Sequence, residues 1–245
     1  MQPDSDDDLI ERLARIERLV GRDVEDAVAP AWQRATAGEH RWPFGLAVVV
    51  MIGLQVMLPD RLTLGPRWLL PTVEIALMVV LIAANPGRME RPAPVLRRLG
   101  LVLIGLVSLA NAWSVALLVR EITTGHGLGG AAQLLATGGA IWLLNVLTFA
   151  VWYWEFDRGG PQARAAGVHQ YPDFLFPQLS DKRLGRDWEP RFLDYVYLAF
   201  TNATAFSPTD TMPLSRWAKS AMLLQASISV IVATLVVANA VNTLG

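Results

Sequence analysis

Long apolar runs separated by short polar linkers dominate the hydrophobic pattern from residue 43 onwards. A hydrocarbon core of about 30 Å needs roughly 20 helical residues, with a range near 17 to 25. The candidate runs are 43–58, 68–84, 99–119, 131–154 and 215–244, of which the first is the shortest. Tryptophan and tyrosine stand at several of their ends, as in the interfacial belts of membrane helices. The pattern therefore predicts an all-α integral membrane protein with about five transmembrane helices.

The residues before the first run predict a segment outside the membrane. Leu9, Leu13, Ile16 and Val20 recur at spacings of four, three and four, which predicts an amphipathic helix over 5–36. We expect it to pack on the cytoplasmic face of the protein or on lipid headgroups, with a short oligomerising coil as the alternative. Its start is acidic and no apolar core follows closely, so no cleavable targeting segment is predicted.

The shortest apolar segment, 192–206, follows the longest polar connection, 155–191. About 15 apolar residues are too few for a comfortable span and predict a re-entrant half-helix. The aromatic stretch YPDFLF in the connection predicts an ordered loop that lies against the membrane or a neighbouring subunit. The chain then divides into an extramembrane segment (1–41), three transmembrane helices (42–130) and a pore-type module (131–245).

Composition agrees with a membrane protein and narrows the partners. The chain is 53% hydrophobic and only 18% charged, and its mean hydropathy is +0.34. A formal net charge of −1 gives no basic excess for nucleic acid. There is no cysteine, and His40, His126 and His169 lie in separate polar segments, so neither a metal site nor a cofactor is predicted. No catalytic constellation is present, and the chain is not predicted to be an enzyme.

Residues 197–219, YLAFTNATAFSPTDTMPLSRWAK, place an apolar half-helix, a short polar turn and a proline before a long helix. This order resembles the pore module of the tetrameric potassium-channel superfamily, over about 115 residues from the fourth span to the C-terminus. Asp210 and Pro213 align without a gap on the Asp and Pro that follow the filter of that family. Thr204 then matches the first filter residue.

The filter itself departs from the pattern of the family. Ser207 and Thr209 replace its two glycines and Pro208 replaces its aromatic residue, so the carbonyl ladder that coordinates potassium is not expected here. A wider mouth lined by hydroxyl groups is expected instead. The residues predicted to form the pore loop are Thr201, Asn202, Thr204, Ala205, Phe206, Ser207, Pro208, Thr209 and Asp210, and those predicted to line the inner helix are Gln225, Ser229, Val232 and Val236.

The resemblance implies a homo-oligomer, most simply a tetramer, that conducts inorganic ions, because one half-helix per chain cannot enclose an axis. The chain also resembles a group of bacterial multi-span membrane proteins that carry the same WYWEFDRGGP and FTNATAFSPTDTMPL runs. That likeness implies an inner-membrane location and little about activity.

Arginine and lysine residues set the expected orientation. They crowd the linker after the second run and the long connection 155–191, which places both linkers and the N-terminus in the cytoplasm. The half-helix would then enter from the cytoplasmic side, the reverse of potassium channels. A distorted crossing by 192–206, or a failure of the charge rule, are the alternatives.

Two other functions remain open from the sequence. In the first, 192–213 is a broken helix packed inside a non-conducting scaffold or binding protein, with its freed backbone groups paired to neighbours. In the second, the chain is a small-solute or proton transporter that uses Glu74, the one clear ionisable residue inside a predicted span. The competing interpretation of Glu74 is a paired or protonated carboxyl group that holds helices together.

Overall fold

A computed structural model describes residues 31–36, 38–40, 42–84, 94–125, 130–168, 171–181, 188–204 and 210–244. The α-helices, in chain order, are α1 (Trp42–Met57), α2 (Leu69–Ala84), α3 (Pro94–Thr123), α4 (Ala131–Phe156), α5 (Pro161–Ala165), α6 (Pro177–Ser180), α7 (Phe192–Thr204) and α8 (Arg216–Leu244). The strands are β1 (Phe174–Leu175) and β2 (Met212–Pro213), and short 3₁₀ turns cover Ala31–Gln33, Asp60–Leu62 and Asp157–Gly159. The predicted all-α character is confirmed apart from these two short strands.

Three described helices are long and apolar enough to cross a bilayer: Arg97–Thr123 within α3, Ala131–Gly159 and Arg216–Thr243 within α8. α1 and α2 are apolar but shorter, with 16 residues each. At 1.5 Å per residue they extend about 24 Å, somewhat less than the hydrocarbon thickness. These apolar helices are compatible with a membrane protein.

Helix α4 is the centre of the fold. It packs against α8 and α7 most extensively and also against α3 and α1, while α2 packs mainly on α3. Gly138 allows α4 and α8 to approach closely, because a side chain there would collide with Val236. The middle and C-terminal part of α4 is therefore buried on most sides, including Ile141, Ala150 and Tyr153.

The polar connection after α4 folds back onto the chain that carries it. β1 pairs antiparallel with β2, with Phe174 opposite Pro213 and Leu175 opposite Met212. Phe174 and Phe176 of the predicted membrane-facing or subunit-facing aromatic stretch are buried in the core of the same chain. That expectation is corrected for these two rings, because neighbouring aromatic residues of α4, α7 and α8 already enclose them.

Two predicted boundaries also change. The N-terminal helix was predicted to reach residue 36, but a 3₁₀ turn ends at Gln33 and residues 35 and 36 are not helical; most of that predicted helix lies outside the described residues. α3 begins at Pro94, five residues before the predicted apolar run.

Candidate pore-loop site

Helices α7 and α8 both begin at the same end of α4. The ring of Phe192, the first residue of α7, lies 5.7 Å from that of Trp154, and the ring of Trp217, at the start of α8, lies 5.9 Å from that of Phe156. α7 has 13 residues and so extends about 20 Å away from this end. The described chain resumes at Asp210, and β2 is paired to β1 near the same end.

A set of buried hydrogen bonds holds the far half of α7 against α4 and α8; we call its members Tyr153, Ala199, Asn202 and Gln225 the clamp. The Nδ2 group of Asn202 donates to Gln225 Oε1 at 2.8 Å. Gln225 Oε1 also accepts from the Tyr153 hydroxyl at 2.7 Å, and Gln225 Nε2 donates to the Ala199 carbonyl oxygen at 2.8 Å. Gln225 thus uses both ends of its amide to join three helices.

The polar contacts continue from the clamp toward α3. Asn145 Nδ2 donates to the Ser229 hydroxyl at 2.9 Å, and the Asn111 amide lies 3.4 Å from Asn145 Oδ1. The Oδ1 atom of Asn111 is buried and has no hydrogen-bond partner among the residues that the structure describes. Interhelical amide contacts of this kind hold membrane helices together.

The four residues predicted to line the inner helix lie together on one face of α8, but that face is turned into the protomer. Gln225 and Ser229 are 0% exposed, Val232 is 1% and Val236 is 5%. They pack toward α4, where Asn145 and Gly138 meet them. Side chains that fill the core of their own chain are not available to line an axis between chains.

The predicted pore-loop residues are described only in part. Thr201 and Thr204 are half-buried near the end of α7, and their hydroxyls donate to carbonyl groups of the same helix. Asn202 belongs to the clamp. Asp210 is exposed on the returning segment. Ala205, Phe206, Ser207, Pro208 and Thr209 lie outside the described residues.

Asp157 organises the base of α7, where α4 ends. Its carboxylate is fully buried. Oδ1 accepts from the backbone N–H groups of Asp173 and Phe174 at 3.0 and 3.3 Å. Oδ2 accepts from the Tyr195 hydroxyl of α7 at 2.6 Å and from Arg158 Nε at 3.4 Å. One carboxylate therefore links the end of α4, the β1 segment and the first turns of α7.

Two buried arginines complete this base. Arg158 has a left-handed backbone, with φ 52°, which is uncommon for a residue other than glycine. Its N–H donates to Asp173 Oδ2 at 2.8 Å, a contact that compensates for the unfavourable conformation. Arg164 donates to the carbonyl oxygens of Trp154 and Asp157, and its guanidinium carbon lies 5.1 Å from the centre of the Tyr195 ring. We call Asp157, Arg158, Arg164, Asp173 and Tyr195 the base cluster.

Glu39, just before α1, is fixed to the start of α7. Its Oε1 accepts from the Phe192 backbone N–H and its Oε2 from Trp154 Nε1, both at 2.8 Å. Burial raises the pKa of the Glu39 carboxyl, and the hydrogen bonds from Phe192 and Trp154 lower it by less. The segment before α1 is thereby attached to the start of α7.

Glu74 lies away from the pore loop, between α1 and α2. It is 0% exposed, and Gln55 Nε2 donates to both of its carboxylate oxygens at 3.2 Å. A bond between side chains of two apolar helices has the geometry of an interhelical tether. The structure does not bring Glu74 together with the clamp.

Sequence reasoning missed Tyr153, Asp157, Tyr195 and Gln55. Gln55 could have been identified because it is a glutamine inside an otherwise apolar run. The two glycines that follow Asp157 and Arg158 could have indicated a sharp turn there. The burial of Asp157 had no signal, because charged residues in a polar connection usually face solvent.

Among the described residues, no group of three or more histidine or acidic side chains could hold a metal ion. In comparisons with known proteins, no family model, no curated protein and no solved structure matches this chain.

Proposed function

We propose that this chain is the pore-forming subunit of a homo-oligomeric ion channel, in which α7 is a re-entrant half-helix and residues 205–209 form the narrow part of the path. One observation carries the proposal: both ends of 192–217 lie beside the end of α4, with Phe192 against Trp154 and Trp217 against Phe156. A segment that enters the membrane and leaves it on the same side is typical of a pore loop, whereas a transmembrane helix would end on the opposite side.

The depth of α7 supports this proposal. A helix of 13 residues extends about 20 Å, roughly two thirds of a 30 Å hydrocarbon core. Its far half bonds to Met222 and Gln225, which follow Arg216, the first residue of α8, by six and nine residues. The turn after α7 would then lie inside the bilayer, where irregular backbone is tolerated if it lines a wet cavity.

The face of α8 opposite the clamp is the candidate pore lining. Ser220, Ser227 and Thr234 recur there at intervals of seven residues, and all three are exposed. Tyr197 and Phe200 are exposed on α7. In a symmetric assembly, most simply a tetramer, this face of α8 is directed at the axis, where its hydroxyl groups alternate with the exposed side chains of Leu223, Val230 and Ile231. The stripe from Gln225 to Val236 remains in the core of each protomer.

Cations are the ions that this arrangement favours. The carbonyl end of a helix carries about half a negative charge, and in the proposed assembly the end of α7 at Thr204 is directed into the path. The sequence from 192 to 215 contains two acidic residues, Asp194 and Asp210, and no lysine or arginine. A pathway for anions would need cationic groups near its narrow part.

The proposed location is a bacterial inner membrane, with five membrane-crossing helices and the N-terminus in the cytoplasm. Arg97 of α3 lies 3.4 Å from Glu155 of α4, which brings the basic start of α3 to the end of the molecule where α7 and α8 begin. Arg191, Arg216 and Lys219 are also exposed near this end. By the positive-inside rule it faces the cytoplasm, and the half-helix enters from there.

Paired cysteine variants test conduction, because the natural chain contains no cysteine. Ser227→Cys places a thiol on the exposed face of α8, and Ser229→Cys places one in the buried face only two residues away. Protein in planar bilayers is expected to carry cation current, and a cationic methanethiosulfonate reagent is expected to reduce the current of Ser227→Cys by more than half.

The current of Ser229→Cys is expected to change little under the same treatment, because its thiol is shielded within the protomer. A wild-type protein that carries no current with any of several monovalent and divalent cations would contradict the proposed function and favour a non-conducting scaffold. Equal inhibition of both variants would contradict the assignment of the lining face.

A further inference from the structure

We infer that a groove beside α7 binds one phospholipid with an ethanolamine headgroup, taken from the surrounding bilayer. The groove has a volume of about 660 Å³, within the range of roughly 300 to 1,000 Å³ that is usual for ligand pockets. It lies between α1 and α7, with Leu147 of α4 among its lining residues. This inference rests on a membrane location and is independent of conduction.

The inner part of the groove is shaped for an acyl chain. Leu46 and Val50 line it from α1, and Leu193 and Val196 from α7. Leu46 is 55% exposed and Leu193 is 74% exposed, so the described chain leaves this surface open. From Trp42 to Val50 the groove follows α1 for about 12 Å, most of the depth of one leaflet, which is half of a core of about 30 Å.

The mouth of the groove is polar and carries both signs of charge. Arg191, His40 and Glu39 line it, next to Trp42, which is 68% exposed and stands where indole rings prefer the headgroup level. The backbone N–H of Arg191 donates to Asp194 Oδ2 at 2.8 Å, which fixes residue 191 at the start of α7 beside this mouth. Basic pockets between helices on the cytoplasmic side are known forms of headgroup site.

The opposite charges of Arg191 and Glu39 together select the lipid headgroup. The Arg191 guanidinium can donate to a lipid phosphate through a charge-assisted fork. The Glu39 carboxylate has about four acceptor positions, and the N–H groups of Phe192 and Trp154 occupy two of them. A primary ammonium can donate to the remainder. A choline headgroup has no N–H to donate, and a glycerol headgroup has no positive charge to place near Glu39.

Native mass spectrometry of the delipidated protein tests this site with two lipids that have identical acyl chains, one with ethanolamine and one with choline. The ethanolamine lipid is expected to bind about tenfold more tightly, since a charge-assisted hydrogen bond is worth about 1.4 kcal/mol or more. Arg191→Ala is expected to weaken binding of both lipids. The matched control is Arg120→Ala, an exposed arginine at the other end of α3, and it is expected to have no effect.

A second variant, Val196→Trp, fills the groove with an indole ring and is expected to reduce lipid occupancy while the headgroup residues stay intact. Equal affinity for the two lipids would overturn the proposed selectivity. Unchanged binding in both Arg191→Ala and Val196→Trp would overturn the site itself, as would a second protein chain that occupies the groove and excludes lipid. None of these results depends on whether the protein carries current.

Discussion

Asp157→Ala is expected to lower the free energy of unfolding by about 3 to 5 kcal/mol, the range measured when one partner of a buried charged pair is removed. The variant would leave the Tyr195 hydroxyl, the Arg158 guanidinium and the N–H groups of Asp173 and Phe174 without their acceptor. Equilibrium unfolding in mixed micelles measures the loss. The first turns of α7 and the β1 segment are expected to loosen together, which limited proteolysis between 157 and 191 would detect.

The matched control is Asp60→Ala. Asp60 also pairs with an arginine, Arg67, at 3.7 Å, but its side chain is 76% exposed. Exposed ion pairs contribute about 0 to 1 kcal/mol, so this variant is expected to unfold almost like the natural protein. Equal stability of the two variants would mean that the base cluster does not support the fold.

Gln225→Leu is expected to abolish conduction and to lower the free energy of unfolding by at least about 2 kcal/mol. Leucine has a similar size but no hydrogen-bonding group, so Tyr153, Asn202 and the Ala199 carbonyl would lose their bonds to Gln225. An unpaired buried polar group costs about 1 to 3 kcal/mol. Without the clamp, the far half of α7 would lose its attachment to α4 and α8, and the proposed path would lose its support.

Gln133→Leu is the control, because Gln133 is a glutamine on the exposed face of α4. Currents and unfolding of this variant are expected to match the natural protein. If Gln225→Leu also retained normal current and stability, the clamp would have no part in positioning the half-helix.

A short helix at this position could be predicted from sequence because the length of the apolar run is a strong constraint; its re-entrant course stays a prediction. An apolar run of about 15 residues between two polar segments is too short to cross a bilayer comfortably as a helix, and α7 spans Phe192–Thr204, which is 13 residues. Asn145, Gln225 and Ser229 could also be recognised from the sequence as candidate contact residues, because they are polar positions within apolar runs.

The direction in which those polar residues face could not be predicted. Gln225, Ser229, Val232 and Val236 form one stripe at helical spacing, and a stripe of polar and small residues suits both a tight helix contact and a wet axis. Within the protomer the stripe faces α4, because Asn145 of α4 bonds to Ser229 and Gly138 of α4 lies against Val236. Those contacts join residues about 80 to 100 positions apart, and a single sequence carries no pattern that pairs them.

The base cluster was beyond prediction for a different reason. Asp157 and Arg164 stand in a connection rich in charge and glycine, a composition typical of solvent-exposed loops. Their burial depends on the aromatic rings of Trp154, Phe174 and Tyr195, which converge from three separate segments. Only the tertiary fold creates an environment in which these charges are satisfied.

Sidedness labelling tests most directly whether the chain enters the membrane with α7 and returns to the same side. Arg191 and Asp210 are both exposed and flank the half-helix, so Arg191→Cys and Asp210→Cys each give a single thiol in a chain without cysteine. A membrane-impermeant maleimide applied to oriented vesicles is expected to label both variants from the same side, the cytoplasmic one. Labelling of the two variants from opposite sides would show that α7 crosses the bilayer and would contradict the pore-loop account.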